Sequence, residues 1–226
     1  MEMGRIVNVL ESQKDEKQAA IHKNYHKSDL QFMGWTTPQM RQLASHLLQE
    51  RSTPQSFFDL CDALWQQPIF ETRMLVTILF EKRIKQFFQA ADFERFYPLL
   101  RDCDGWALTD NLAIKGLGAF LFRFPRYHAH VDGWKTDSHL WVRRAGILRF
   151  ITPVRYKADW PSRMEAILIH HFAETDFFIR KAIGWTLREW SKLDPDRVRH
   201  FAFQNKEAMS ALTFKEATRK IKPSAS

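Results

Sequence analysis

Aromatic residues recur at nearly equal intervals along this chain, and each lies at the beginning of a segment in which apolar residues follow the period of an α-helix. We call six of them the anchor positions: Trp35, Phe70, Trp106, Trp141, Phe178 and Phe214. By subtraction, the successive intervals are 35, 36, 35, 37 and 36 residues. A constant spacing of this size is typical of solenoids, in which each repeat packs against its neighbours.

Turn residues divide each interval into two helical segments. Ser52-Thr53-Pro54 is typical of a helix start, Gln67-Pro68 ends that helix, and Phe70 to Lys85 predicts the next one. Asp176 predicts the N-cap of the clearest helix, which runs to Trp190. Two helices in each repeat is the HEAT-like arrangement.

Three features around the third anchor position refine this prediction. The segment from Phe87 is expected to be helical only up to Pro98, because proline interrupts a helix. Asp102 to Asp104 offer caps for the helix that follows. The next helix is expected to carry one continuous stripe, formed by Trp106, Asp110, Ala113 and Leu117.

No segment shows a sustained alternation of apolar and polar residues, so we predict no β-sheet. The predicted fold is an all-α, right-handed α-solenoid of about six HEAT-like helical pairs. It is expected to form a single domain over residues 1–226.

One acidic residue interrupts the repeat pattern. Four residues after the four central anchors, the sequence has Met74, Asp110, Ala145 and Ala182. A residue four positions along a helix shares the face of its anchor, and only Asp110 is charged in this register. Three residues after the same anchors stand Arg73, Thr109, Arg144 and Lys181. The pattern therefore places one carboxylate among basic residues.

The charge balance favours a polyanionic partner. The 226 residues include 34 Lys and Arg against 26 Asp and Glu, which gives a net charge of +8. Nucleic acid and an anionic membrane surface both fit this excess, and a solvated basic surface without a partner is the alternative. Basic residues crowd two successive repeats, namely Arg143, Arg144, Arg149, Arg155, Arg180, Lys181 and Arg188. Stacked repeats would align them as a basic groove on the concave face.

Other features exclude several classes of protein. The chain has only two cysteines, Cys61 and Cys103, which is too few for a disulfide framework. Residues 1–18 lack the apolar core of a signal peptide. Together these observations predict a reduced, cytoplasmic protein. Charged residues interrupt every apolar run before it could cross a bilayer. His22 and His26 could share a metal ion, but no third ligand stands at a convincing spacing, so we predict no metal site.

Nearly the whole chain resembles the AlkD family of DNA alkylation repair glycosylases, which are built from HEAT-like repeats. The resemblance is carried by Phe32-Met33-Gly34 with Thr37-Pro38, by Trp106 four residues before Asp110, by Trp141-Val142-Arg143-Arg144-Ala145, and by residues 177–185 running into Leu187-Arg188-Glu189. The last of these segments is the most specific.

The resemblance also implies residue roles. Asp110 would be the catalytic carboxylate, Trp106 and Trp185 the aromatic walls around the sugar of the damaged nucleotide, and Arg144 a residue that holds the DNA backbone. Further DNA contacts are predicted at Tyr25, Thr36, Arg149, Arg180, Lys181 and Arg188. Expected partners are duplex DNA with alkylated bases and no membrane, and the protein would act as a monomer without a small-molecule cofactor.

The chain departs from the family pattern at three positions. The family commonly has two adjacent tryptophans before the acid, and here the first is replaced by Gly105. Ala107 stands where an acidic residue often follows, and Thr36 stands where glutamine is often found. These departures bear on the range of substrates.

Each functional assignment has a structural alternative. Asp110 could be a helix-start aspartate that hydrogen-bonds locally, tryptophans are more often core residues, and Arg144 could be a solvated helix charge. Two functions therefore remain open: a monofunctional glycosylase acting on cationic N3- and N7-alkylpurines, or a catalytically silent HEAT-like module that binds nucleic acid or protein. Asp110 is the residue that distinguishes them.

Overall fold

The computed structural model describes residues 3–152 and 160–221. These residues fold into α-helices joined by short 3₁₀ and π turns and by loops, and they form no β-strand; the pairing between Gln31 and Ile69 is an isolated bridge. The all-α prediction is therefore confirmed. The chain divides into two compact units, Met1–Gly116 and Leu117–Ser226. Arg155 of the basic group lies outside the described residues. The same holds for Pro153, which predicts an end or a kink of the preceding helix, and for residues 222–224, where the repeat pattern is expected to fray.

The first unit contains seven α-helices among its described residues. They are α1 (Met3–Ser12), α2 (Glu16–His26), α3 (Thr37–Gln49), α4 (Pro54–Trp65), α5 (Phe70–Phe87), α6 (Phe96–Arg101) and α7 (Trp106–Asn111). A 3₁₀ turn, Ala90–Arg95, precedes α6, and a π turn, Leu112–Leu117, follows α7.

The second unit likewise contains seven α-helices among its described residues. They are α8 (Gly118–Arg123), α9 (His128–Gly133), α10 (Leu140–Leu148), α11 (Trp160–His170), α12 (Phe177–Trp190), α13 (Pro195–Gln204) and α14 (Ala211–Thr218). Three 3₁₀ turns connect them, at Pro125–Tyr127, Trp134–Thr136 and Arg149–Ile151.

Side-chain caps fix several helix starts where the sequence places them. Thr53 accepts a hydrogen bond from the backbone N–H of Ser56 at the start of α4. Asp176 accepts from the N–H groups of Phe178 and Ile179 at the start of α12. These contacts satisfy backbone donors that have no partner inside the helix.

Two local predictions are wrong. Pro98 does not end a helix but lies in the first turn of α6, where its missing N–H would have no intrahelical partner in any case. The aspartates at 102 and 104 do not cap α7, which begins after Gly105 without a side-chain cap. Instead, Asp102 accepts a hydrogen bond from the indole N–H of Trp65 at 2.8 Å.

A buried carboxylate organises the loop before α3. Glu71 is fully buried in α5, and its carboxylate accepts hydrogen bonds from the backbone N–H groups of Met33, Gly34 and Trp35 at 2.9 to 3.3 Å. Burial raises the pKa of Glu71, and these hydrogen bonds lower it in part. Gly34 has φ +81°, and a Cβ there would clash with the backbone oxygen of Asp15, so this turn requires glycine.

The first unit has an aromatic core. Phe80 of α5 lies 4.8 Å from Phe88 between ring centroids, and Phe88 lies 6.0 Å from Phe96 of α6. Phe57 of α4 joins them at 6.3 Å from Phe80. All four side chains are buried, so apolar area removed from water is the main contribution of this cluster to stability.

In the second unit, close packing of α12 against α14 depends on a glycine. A Cβ at Gly184 would lie 2.5 Å from the Cβ of Glu216 and 3.0 Å from the backbone oxygen of Thr213. Any larger residue would separate the two helices. Throughout residues 3–152 and 160–221, no helix is long and apolar enough to cross a membrane.

Candidate functional site

Asp110 is a buried carboxylate in the second turn of α7. Its relative exposure is 7%, and α7 begins four residues earlier, at Trp106. Asp110 therefore lies one turn inside the helix rather than at its start. A π turn begins two residues later, at Leu112, and interrupts the regular spacing of the predicted stripe. Turns of this kind are frequent at functional sites.

The Asp110 carboxylate acts electrostatically on the thiol of Cys103, which is uncharged. Burial raises the pKa of Cys103 to about 12, a hydrogen bond with Thr109 lowers it, and the charges of Asp102 and Asp110 raise it further. Cys61 is also buried, and burial raises its pKa well above the usual value. Both cysteines are thus thiols at neutral pH, which does not favour a cysteine nucleophile.

Trp106 is half-buried and forms an aromatic cluster with residues from α2 and α5. Its indole lies 5.4 Å from the ring of Tyr25, edge to face, and 5.1 Å from the ring of His26. Tyr25 is 66% exposed, whereas His26 packs on Phe70 at 4.8 Å. The structure therefore brings together the predicted aromatic wall Trp106 and the predicted DNA contact Tyr25.

His26 belongs to this cluster as a neutral ring. Burial, and secondly the charge of His22, lower its pKa to about 4. The sequence suggested His26 only as a metal ligand beside His22, and its aromatic packing has no signal in the spacing. Within the described residues, no three His, Cys, Asp or Glu side chains lie together as possible metal ligands.

Asp104 fastens the start of α7 to the loop after α2. Its carboxylate accepts hydrogen bonds from the Ser28 hydroxyl and the Asp29 N–H, both at 2.6 Å, and from the Leu30 N–H at 3.3 Å. These contacts position the end of α2, with Tyr25, against Trp106. Sequence reasoning missed this role because Asp104 and its partners are far apart in the chain.

Gly105 lies between Asp104 and Trp106 in a backbone conformation that L side chains rarely adopt. Its φ is +131° and its ψ is 177°. A Cβ there would lie 3.7 Å from the backbone oxygen of His26, which is an ordinary contact. The obstacle to a side chain at this position is therefore conformational rather than steric.

Thr36 caps α3 and is exposed. Its backbone N–H and its hydroxyl both donate to the side-chain oxygen of Gln39, at 2.8 and 2.7 Å. Its predicted contact with DNA is not tested by this geometry and stays a prediction.

In the second unit, Arg144 of α10 is buried rather than solvated. Its guanidinium donates a hydrogen bond to the backbone oxygen of Phe178 and lies 5.8 Å from the centre of that ring. Arg144 thereby joins α10 to the first turn of α12. Trp185, the predicted second wall, is half-buried on α12 and donates its indole N–H to Glu189 at 3.2 Å.

Three other predicted DNA contacts lie on α12. Lys181 and Arg188 both form ion pairs with Glu216 of α14. Arg180 is partly exposed, and its Nε has no hydrogen-bond partner among the described residues.

Arg149 requires a correction. Its side chain has no exposed surface, and it forms an ion pair with Asp132, which also binds Arg163. Burial lowers the pKa of Arg149 to about 10, although the charge of Asp132 and a hydrogen bond to it raise it. A guanidinium fully enclosed by protein cannot contact DNA phosphate, so the prediction for Arg149 is wrong. Its ion pair with Asp132 joins the turn after α10 to α9, and Asp132 in turn joins α9 to α11 through Arg163.

Comparison with known proteins bears on both units. A family model described as "DNA alkylation repair enzyme" matches residues 6–221. A search of curated proteins finds no match.

Solved structures share the fold at low sequence identity. A protein from Enterococcus faecalis described as a predicted DNA alkylation repair enzyme matches with a TM-score of 0.80 and 21% identity, over 92% of this chain and 97% of that one. AlkD2 from Streptococcus mutans matches with a TM-score of 0.63 and 20% identity, over 92% of this chain and 100% of that one. At these identities the likeness shows a common fold.

Proposed function

Since the chain belongs to the DNA alkylation repair enzyme family, we propose that it is a monofunctional DNA glycosylase that hydrolyses the N-glycosidic bond of cationic N3- and N7-alkylpurines in duplex DNA. One observation carries the proposal. A buried carboxylate, Asp110, lies one helical turn after a half-exposed indole, Trp106, and that indole contacts the exposed ring of Tyr25. An aromatic surface beside a carboxylate suits a substrate whose sugar becomes positively charged during reaction.

The chemistry needs little assistance at the leaving group. When the bond between the sugar C1′ and the base nitrogen breaks, its electron pair neutralises the cationic base, which departs uncharged. The deoxyribose acquires oxocarbenium character, and the negative charge of Asp110 would stabilise it. Water then adds to C1′ and loses a proton, with Asp110 as the acceptor, and the product is an abasic site.

The remaining residues would bind the substrate. Trp106 offers a ring face to the sugar and attracts its developing charge. Trp185, on α12 of the second unit, is proposed as a further contact with the DNA. No lysine stands in the register of Asp110, so the proposed reaction has no amine nucleophile and no coupled strand cleavage. We further expect a cytoplasmic monomer that acts without a cofactor.

The direct test is the release of base from duplex DNA that carries 7-methylguanine. We expect free 7-methylguanine and an abasic site, measured by chromatography, and no release of unmodified guanine, because a neutral guanine would leave as an anion over a higher barrier. If the protein binds the duplex but releases no base, the silent binding module takes the place of the glycosylase.

Binding of duplex DNA is expected to depend steeply on salt. Log affinity falls with log salt concentration, and each phosphate that a cation neutralises makes this slope steeper by about 0.9. The double variant Arg180→Gln with Lys181→Gln should therefore make the slope shallower by about 1.8, measured by fluorescence anisotropy.

A control for this experiment is Arg149→Met, which removes one positive charge from a buried position. Its salt slope should equal that of the wild type. An equal change in slope per charge removed in the two proteins would show that net charge, rather than contact with phosphate, sets the affinity.

A further inference from the structure

Glu216 of α14 gathers three cations at one nearly buried carboxylate. Lys181 lies 3.1 Å from it, Arg219 lies 3.9 Å from it, and Arg188 donates a hydrogen bond to it. The Glu216 side chain is 11% exposed, against 36% for Lys181 and 20% for Arg188. The cations are thus more accessible than the carboxylate that holds them.

Glu216 is ionised at neutral pH. Burial alone would raise its pKa, but a hydrogen bond from Lys181 and the charges of Lys181, Arg188 and Arg219 outweigh that effect and leave the pKa lowered. The carboxylate is therefore a permanent partner for the cations rather than a group that titrates near pH 7.

The position of Glu216 on the fold is also fixed. Lys181, Trp185 and Arg188 stand at i, i+4 and i+7 along α12, which places them in one stripe. Gly184 lies inside that stretch and lets the Cβ of Glu216 approach the α12 backbone. Glu216 thus reaches cations on both sides of the turn that carries Trp185.

We propose that Glu216 is a positioning residue for DNA binding: it holds Lys181 and Arg188 on either side of Trp185 and so presents their remaining N–H donors to backbone phosphates. A guanidinium has five N–H donors and an ammonium has three, so one contact with Glu216 leaves donors for a phosphate. The proposal rests on the proposed function in one respect, since it takes duplex DNA as the partner.

The direction in which one substitution changes the affinity for DNA distinguishes this role from an effect of net charge alone. Glu216→Gln raises the net charge of the protein by one unit, and electrostatics alone would then strengthen binding to DNA. If Glu216 positions the cations, the same change weakens binding, because two long side chains must be ordered when the complex forms. We expect the Kd for an unmodified duplex to rise about tenfold.

The experiment measures fluorescence anisotropy of a labelled, unmodified duplex at one fixed salt concentration. Glu165→Gln is the matched control, because Glu165 is also paired with an arginine, Arg197, at 2.7 Å and gives the same change in charge. Its affinity should equal or exceed that of the wild type. Glu216→Gln with wild-type or tighter affinity would overturn the positioning role.

A second measurement shows whether Glu216 acts through the two cations. In the background Lys181→Gln with Arg188→Gln, adding Glu216→Gln should change the Kd less than twofold, because the groups it positions are already absent. A further large loss in that background would indicate a purely structural role instead.

Glu216→Asp replaces Glu216→Gln if circular dichroism shows that the latter does not fold. Aspartate keeps the negative charge but has a shorter side chain, so the Kd for DNA should again rise. Wild-type affinity of Glu216→Asp would contradict the proposal. If the wild-type protein binds no duplex, the proposed function fails and this role fails with it. If the wild type binds and only the Glu216 variants behave otherwise than expected, the proposed function stands.

Discussion

Replacing Asp110 with asparagine is expected to lower the single-turnover rate of 7-methylguanine release by about 10²–10³. Asparagine has nearly the same size as aspartate but lacks the negative charge that would stabilise the oxocarbenium-like sugar. The measurement is made at saturating enzyme, so that it reports the chemical step and not binding. Alkylated purines also depart slowly without enzyme, so the unaided rate has to be subtracted.

The control variant is Asp59→Asn, which makes the same chemical change at an exposed residue of α4 in the same unit. It should release base at the wild-type rate. Trp106→Ala and Trp185→Ala should each lose less activity than Asp110→Asn, because a ring face contributes less than a full charge. A wild-type rate for Asp110→Asn would remove the catalytic assignment and favour a binding module.

The second large effect concerns stability. Glu71→Ala is expected to lower the free energy of unfolding by about 3–5 kcal/mol, because it leaves the buried N–H groups of Met33, Gly34 and Trp35 without their acceptor. Glu71→Gln keeps one acceptor oxygen and should lose less. Urea unfolding followed by circular dichroism measures both changes.

Glu11→Ala is the control for this prediction, since Glu11 is an exposed residue of α1 and its loss should change stability by no more than about 0.5 kcal/mol. Equal stability of Glu71→Ala and Glu11→Ala would mean that water replaces the lost acceptor, and that the loop before α3 does not depend on the carboxylate.

The sequence predicted those parts of the molecule that depend on local contacts. The caps Thr53 and Asp176 act on N–H groups two or three residues away, so the pattern contains both partners. The isolated acid in the repeat register likewise led to Asp110, because helical periodicity alone decides which residues share a face. Asp110 is buried in the structure, and its catalytic role stays a proposal.

Contacts between distant segments could not be predicted in this way. Glu71 and Asp104 each bind a loop more than thirty residues away, and nothing in the local pattern distinguishes them from surface acids. The same holds for Arg149, because its partner Asp132 lies 17 residues away and the local pattern does not show that the guanidinium is buried. The sequence shows which residues carry a charge. Whether such a residue is solvated or is buried beside a partner depends on the fold.

Gly105 limits how this protein could change over time. The positive φ at this position would cost any other residue about 1–3 kcal/mol. The tryptophan that the family resemblance places here would have to adopt this strained conformation, or the segment between Cys103 and Trp106 would have to rearrange. A substitution at position 105 should therefore be tolerated better together with changes in the adjoining loop than alone.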